Sequence, residues 1–206
     1  MVWRTLPLVG VLLFIAIAFG WRPWLQRLRY GTSGLLLFRS QERTQLIRDS
    51  LAVVWLALLV GQAAAVALWP EWLPSHTLWA GLTEDLPRTA GAVLLFGGLV
   101  LLVTAQLDLG ASWRIGIEEG AKPGLVTGGL YRFCRNPIYL AFAVVMLGYA
   151  MLLPTLLSLI MLIATYVGFR QQTLREEEYL IRTYGEAYRD YASRVGRFCP
   201  GVGKLG

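Results

Sequence analysis

The chain has 206 residues, 56% of them hydrophobic and only 16% charged, with a net charge of +6 and a mean hydropathy of +0.53. Soluble domains are about 45–50% apolar with about 25% charge, so the composition excludes an ordinary soluble core and points to an integral membrane protein. The arginine excess then reads as topology signal and anionic-lipid contact; nucleic acid is not expected as a partner, because neither a basic-aromatic groove nor zinc-ligand spacing is present.

In chain order, Leu6 to Gly20 is the first apolar run, flanked by Arg4 and Trp21-Arg22. No small-residue cleavage site precedes Trp21, so the run reads as a helix and not as a signal peptide. Arg22 to Arg48 reads as a basic loop, whose Leu35-Leu36-Leu37-Phe38 lies in the interface or packs under the bundle. Leu51 to Trp69 is the second span. The next loop, Pro70 to Arg88, carries Glu71, Glu84, Asp85 and the sole histidine, His76, which reads as polar surface. Thr89 to Leu107 is the third span, where Gly91, Gly97 and Gly98 offer close helix contacts.

Ile138 to Phe169 then runs 32 residues without a charge. A single straight helix of that length would reach about 48 Å at 1.5 Å per residue, against a hydrocarbon core of about 30 Å. Pro154 sits at its middle, so a tight hairpin is expected, turning at Leu153-Pro154-Thr155 with Pro154 starting the second helix. Beyond Phe169 the helix continues as an amphipathic segment to about Thr183, Tyr184-Gly185 breaks it, and a short helix with Tyr188 and Tyr191 follows.

The positive-inside rule orients these elements. The Arg22–Arg48 loop faces the cytosol, the Pro70–Arg88 loop faces out, and the loop Asp108–Asn136 and the charged tail return to the cytosol. A kinked single helix through Pro154 would strand Arg175, Arg182, Arg189, Arg194 and Arg197 outside. The expected fold is therefore all-α and integral to the membrane, with about five transmembrane helices. The last two form the hairpin, and a cytosolic C-terminal helical segment follows. Residues 1–107 form the N-terminal helices with their basic loop, on the acceptor side; residues 108–206 form the loop, hairpin and tail. Cys134 and Cys199 are too few for a disulfide framework, lack metal-ligand spacing, and are expected as free cytosolic thiols.

The richest chemistry lies in Gly129-Leu-Tyr-Arg-Phe-Cys-Arg-Asn-Pro-Ile-Tyr139. Asn136 is a favoured N-cap and Pro137 falls at the first helical position. The positive end of that helix, with Arg135 beside it, predicts an anion site at the membrane surface. Topology brings this stretch to the same side as Arg175-Glu-Glu-Glu-Tyr-Leu180 and Tyr184-Gly-Glu-Ala-Tyr-Arg-Asp-Tyr191.

Three spaced motifs fall in order here: Leu125-Val126-Thr127-x-Gly129-x-Tyr131, then Arg135-Asn-Pro-x-Tyr139, then Glu176-Glu-x-x-Leu180 followed by Tyr184-Gly-x-x-Tyr188-x-x-Tyr191-x-x-Arg194-Val195. Over roughly residues 110–200 the chain resembles isoprenylcysteine carboxyl methyltransferases and their prokaryotic relatives. That resemblance implies S-adenosylmethionine as methyl donor, S-adenosylhomocysteine as product, and a lipophilic or small acceptor reached from the bilayer. It also implies a prokaryotic inner-membrane location with the site facing the cytosol; no protein partner is implied. Residue by residue, Pro123, Gly124, Leu125 and Val126 match the strand-like segment whose backbone recognises adenine, and Tyr131 matches a cofactor-contacting tyrosine. Asn136, Pro137, Ile138 and Tyr139 match the motif around the cofactor. Glu176 matches a cofactor-binding glutamate, with Glu177 counted beside it. Arg135 is expected to take the methionyl carboxylate, and Gln172, Glu176 and Arg135 are the candidate catalytic residues.

Two departures stand out. Asn136 occupies a position where the family has histidine, and Gln172 one where eukaryotic members have an arginine implicated in the acceptor carboxylate. Within a methyltransferase reading, methylation of a small thiol or a phospholipid amine remains open. An NADPH-dependent sterol-type membrane reductase, whose family carries a similar Arg-His-Pro-x-Tyr turn, is the alternative of a different class. The Glu-Glu-x-x-Leu helix and the lack of an additional basic phosphate site count against it.

Overall fold

The computed structural model describes residues 2–38, 43–69, 71, 77–78, 80–115 and 124–205; Pro123 and His76 lie outside the described residues. The regular structure among the described residues is helical, with only isolated β-bridges between segments. Helix α1 (Val2–Ile15) passes through a π-helical turn at Ala16–Trp21 into α2 (Arg22–Tyr30). Next come α3 (Arg43–Leu68), α4 (Asp85–Leu109), α5 (Pro137–Leu152), α6 (Leu156–Tyr184) and α7 (Glu186–Arg194). Among the described residues, three helices are long and apolar enough to cross a membrane: Trp3–Tyr30, Arg43–Leu68 and Asp85–Ser112. Helix α5, with 16 residues, is shorter, about 24 Å at 1.5 Å per residue.

The helices pack around Val11, Phe14, Leu59, Ala63, Leu95, Leu99, Leu102, Val145, Met146 and Tyr149, all buried. Their outward faces stay apolar: Leu13, Leu51, Val54, Val93, Val100, Ile160, Ile163 and Val167 are all exposed. A continuous apolar exterior of this kind is a lipid-facing surface. In lipid, helix contact depends on close backbone approach. Accordingly a Cβ on Gly148 would collide with the Leu95 backbone and stand 2.6 Å from Gly91 O, while one on Gly98 would stand 2.8 Å from Val145 N. Gly97, expected to join them, faces open space.

The expected break at Leu153-Pro154-Thr155 is present, with Thr155 and not Pro154 initiating α6: its side chain accepts Ser158 N. Proline precedes the cap, where its fixed φ ends α5. A polar staple holds the turn. Gln62 Nε2 of α3 donates to Thr155 Oγ1, and the Tyr149 hydroxyl lies 2.9 Å from Leu59 O. Helices α5 and α6 return antiparallel, since Phe169 meets Tyr139 and Phe142 at ring separations of 5.0 Å each. The break at Tyr184-Gly185 is also present, and Gly185 takes φ +55°, a conformation glycine adopts at little cost.

The N-terminal third departs most from expectation. The first helix runs on to Tyr30 and is capped by Gly31 at φ +78°, so Arg22 is not in a loop. Arg22 is 1% exposed and donates to Gln106 O, Gly110 O and Gln26 Oε1, with its guanidinium 4.6 Å over the Trp113 ring. It thereby satisfies carbonyls at the α4 C-terminus, where the helix dipole favours a cation. Helix α3 likewise starts at Arg43, eight residues before the expected apolar boundary at Leu51. Leu35 pairs with Ile115 as an isolated parallel bridge, tucking that leucine run beneath the bundle against the segment after α4.

Candidate functional site

The segment from Gly124 to Tyr131 is extended and then turns tightly, and two side chains, one in the last turn of α4 and one just beyond it, position it. Ser112 Oγ donates to Gly124 O at 3.0 Å, and Asp108 Oδ2 accepts Leu130 N at 2.7 Å. Gly129 has φ +56° and lies so close to the Asp108 carboxylate that any Cβ would strike it. Leu125 packs against the buried pair Tyr188 and Tyr191 on α7, and the Tyr191 hydroxyl donates to Tyr131 O at 2.6 Å. Tyr131 is buried, and burial pushes its hydroxyl well above the ordinary tyrosine value. Asp108 sits at the C-terminal end of α4, where a carboxylate opposes the helix dipole. That conflict is the sequence signal of a job for Asp108, a residue absent from the sequence-derived site.

Asn136 and Pro137 occupy the expected N-cap and first helical positions of α5, but the Asn136 side chain makes no capping bond. Its Nδ2 donates instead to Arg197 O at 3.1 Å, as does its backbone N–H, while Arg135 N donates to Gly196 O. The start of α5 is thus stitched to residues 196–197 of the tail.

Arg135 is the centre of that stitching. Its guanidinium donates through Nε and one terminal nitrogen to Glu177 Oε1, and through the two terminal nitrogens to Ala192 O, Val195 O and Gly203 O. All five N–H groups of an arginine are engaged with the protein, and its side chain is 1% exposed. The expected anion site at Arg135 is therefore closed by the chain's own groups. Glu177, only 4% exposed, also takes both ends of Arg197 at 2.8–3.1 Å. Glu177 is the shared acid between two arginines. Arg197, absent from the sequence-derived site, completes this clasp.

Glu176, half-buried one position earlier on α6, faces the other way. Its Oε1 accepts from the Tyr139 hydroxyl and from Gln172 Nε2 at 3.0 Å; neither bond uses Oε2. The Tyr139 ring rests on Phe169. Arg114, half-buried on the segment after α4, lies 5.8 Å over the Tyr179 ring and is close enough to Glu176 and Tyr184 to act on both. Burial raises the Glu176 carboxyl above its ordinary value, against the opposing pulls of Tyr139, Gln172 and Arg114. Near Arg114 the Tyr184 hydroxyl is buried with no hydrogen-bond partner among the described residues. Among the described residues Arg114 is in no ion pair, and no group of three or more His, Cys, Asp or Glu could hold a metal.

The structure thus brings Leu125, Val126, Tyr131, Tyr139, Gln172 and Glu176 to one end of the bundle. It adds Arg114 and Tyr184 and turns Arg135 and Glu177 inward. Pro137 is buried in the helix start, and Ile138 packs against the bundle core.

The chain has relatives among known proteins. Residues 86–187, about half of the chain, match the family profile described as phospholipid methyltransferase. The chain is 29% identical over 136 residues to protein-S-isoprenylcysteine O-methyltransferase of Rattus norvegicus, covering 64% of this chain and 48% of that one. It is 27% identical over 155 residues to the Dictyostelium discoideum protein of the same name, covering 71% and 60%. Methanethiol S-methyltransferase 1 of Bradyrhizobium diazoefficiens is 29% identical over 153 residues, covering 69% and 53%. The chain therefore spans roughly half the length of the curated relatives it matches. Among solved structures, the eukaryotic intramembrane Ras methyltransferase ICMT, solved without a monobody, superposes with a TM-score of 0.55 at 21% identity. That alignment covers 93% of this chain and 61% of the other, and it carries the fold. By sequence, residues 86–187 place the chain with the family described as phospholipid methyltransferase, and its fold is that of the solved Ras methyltransferase.

Proposed function

We propose that the protein is a membrane-embedded methyltransferase that moves a methyl group from S-adenosylmethionine to an acceptor reached from the bilayer. Helices α1–α2, α3 and α4 supply three crossings and the α5–α6 hairpin two short ones. The charged half of α6, α7 and the tail lie on the cytosolic side. The observation that carries this reading is one end of the bundle, where an extended backbone segment, a half-buried carboxylate and an arginine outside any ion pair among the described residues converge.

Those groups fit the donor's chemistry. The backbone of Gly124–Val126 offers edges for a planar base, and Tyr131 and Tyr139 are placed so that an aromatic face can attract a sulfonium. Arg114 is the cation suited to the donor's carboxylate, with the buried Tyr184 hydroxyl as an added donor. This replaces Arg135, whose role becomes that of a strut holding the tail against α5. When bound, the donor supplies an activated methyl group, and transfer is an in-line displacement governed by position and exclusion of water. Pro123, outside the described residues, stays with Gly124 in the proposed adenine segment.

The reductase alternative calls for NADPH, and no observation in the site favours it. The deciding experiment supplies radiolabelled S-adenosylmethionine to membranes containing the protein and follows label into lipid, protein or a volatile product. Label transfer above control membranes supports the reading. NADPH consumption without label transfer would sink it.

A further inference from the structure

Arg114 is the middle of a three-residue strip, Trp113-Arg114-Ile115, and both of its neighbours are held by the N-terminal third of the chain. Arg22, at the start of α2, sets its guanidinium 4.6 Å over the Trp113 ring and donates to Gly110 O at 2.8 Å, three residues before the strip. Gln26, one turn further along α2, donates to Ala111 O at 3.0 Å. Gly34, at φ +66°, lies so near Trp113 that a Cβ there would stand 2.9 Å from its carbonyl oxygen and 3.0 Å from its ring. Ile115 is fixed by its backbone: its N–H donates to Gly34 O at 2.8 Å and its carbonyl accepts Leu36 N at 3.1 Å. Residues 22–36 lie outside the stretch 86–187 that matches the family profile.

This pinning decides where Arg114 points. Trp113 has extended backbone, with φ −67° and ψ 128°, and Ile115 bridges to Leu35. Successive side chains of an extended segment leave on opposite sides. Trp113 is turned toward Arg22 and is 3% exposed. Arg114 therefore leaves on the other side, 5.8 Å over the Tyr179 ring and within electrostatic reach of Glu176.

Capping of α4 accounts for the bonds from Arg22 to Gln106 O and Gly110 O. It does not account for the ring contact, or for the three further bonds that Gln26, Gly34 and Leu36 make to Ala111 and Ile115. The Arg22 N–H itself bonds Ile17 O, five residues back, and so closes the π-helical turn; such turns gather at functional sites.

We infer that Arg22 and Gly34 are positioning residues for the methyl donor, holding Trp113-Arg114-Ile115 so that the Arg114 guanidinium meets the donor's carboxylate. The inference rests on the donor-site reading above, and both residues act through Arg114.

The test measures calorimetric binding of two ligands to the full chain in detergent. One is S-adenosylhomocysteine; the other is methylthioadenosine, which keeps the adenosine thioether and lacks the amino-acid carboxylate. Arg22→Gln and Gly34→Ala should each weaken S-adenosylhomocysteine about tenfold, the loss of roughly one charge-assisted hydrogen bond. Methylthioadenosine should stay within about threefold of its wild-type affinity. In an Arg114→Gln background, which already lacks the guanidinium, each change should cost less than about twofold more.

Full S-adenosylhomocysteine affinity in a folded variant would overturn that residue's role. An equal loss for both ligands, the mark of a site loosened as a whole, would overturn the inference, as would losses that persist in full beside Arg114→Gln. Gly34→Ala keeps every charge and carries the test if Arg22→Gln does not fold; failure of both to fold would make residues 22–36 a folding element and overturn it too. An Arg114→Gln protein that binds S-adenosylhomocysteine like wild type is a separate result. The carboxylate would then lie on another cation, such as Lys122 outside the described residues, and the donor-site reading would fall, taking this inference with it. A wild-type protein that binds neither ligand would refute the methyltransferase reading itself.

Discussion

Replacing Arg135 separates two roles that an arginine beside a helix start can play. As a ligand for an anion, its loss would weaken binding and leave the fold intact. As a strut, its loss should release the C-terminal segment. Arg135→Ala removes two bonds to Glu177 and the donors for Ala192 O, Val195 O and Gly203 O. Removing one partner of a buried ion pair costs about 3–5 kcal/mol. Here the loss falls toward the lower end, because Arg197 remains on Glu177 with a side chain 22% exposed. The stranded carbonyls add to it, each about 1–3 kcal/mol if water cannot reach them. The assay is limited trypsin digestion in detergent with thermal unfolding alongside. The variant should be cut early at Arg194, Arg197 or Lys204 and unfold at lower temperature. Arg135→Met combined with Glu177→Met should be less destabilised than the two single changes summed, since neither charge is then left buried alone. A variant with wild-type digestion and melting but lost S-adenosylhomocysteine affinity would refute the strut and restore Arg135 as an anion ligand.

Two further predictions concern packing and orientation. Gly148→Ala places a methyl against the Leu95 backbone and 2.6 Å from Gly91 O, so α4 and α5 must separate at a cost of about 1–3 kcal/mol. Gly97→Ala meets nothing within 4 Å and should melt no lower than wild type, so equal melting of both variants would discredit the close α4–α5 approach. Cys199 is exposed and Cys134 buried, and burial pushes the Cys134 thiol up. A membrane-impermeant maleimide should therefore modify Cys199 alone, from the cytosolic side; modification in intact cells from outside would reverse the proposed topology.

The helical architecture was legible because hydrophobic runs and their punctuation are local signals. Pro154 and Gly185 mark their breaks by backbone geometry alone, and both breaks are present. The first helix runs past its expected end, because an arginine that ordinarily ends an apolar run here stays within it. Arg22 continues the helix by pairing with carbonyls 84 and 88 residues away, a relation no local pattern reveals. The site was legible by residue type more than by role. Glu176 and Tyr139 do meet, yet Arg135 and Glu177 satisfy each other, and Arg114 is the site arginine outside any ion pair among the described residues. Which of several arginines is neutralised depends on three-dimensional pairing. An i to i+1 step on a helix turns about 100°, enough to send Glu176 and Glu177 to opposite tasks.

The central claim is that this end of the bundle holds S-adenosylmethionine with Arg114 on its carboxylate, and calorimetric titration of S-adenosylhomocysteine tests it most directly. Wild-type protein should bind it with affinity on the order of micromolar, about 8 kcal/mol, and Arg114→Gln should bind at least about tenfold more weakly while melting normally. Absence of binding to wild type, or NADPH binding in its place, would contradict the account.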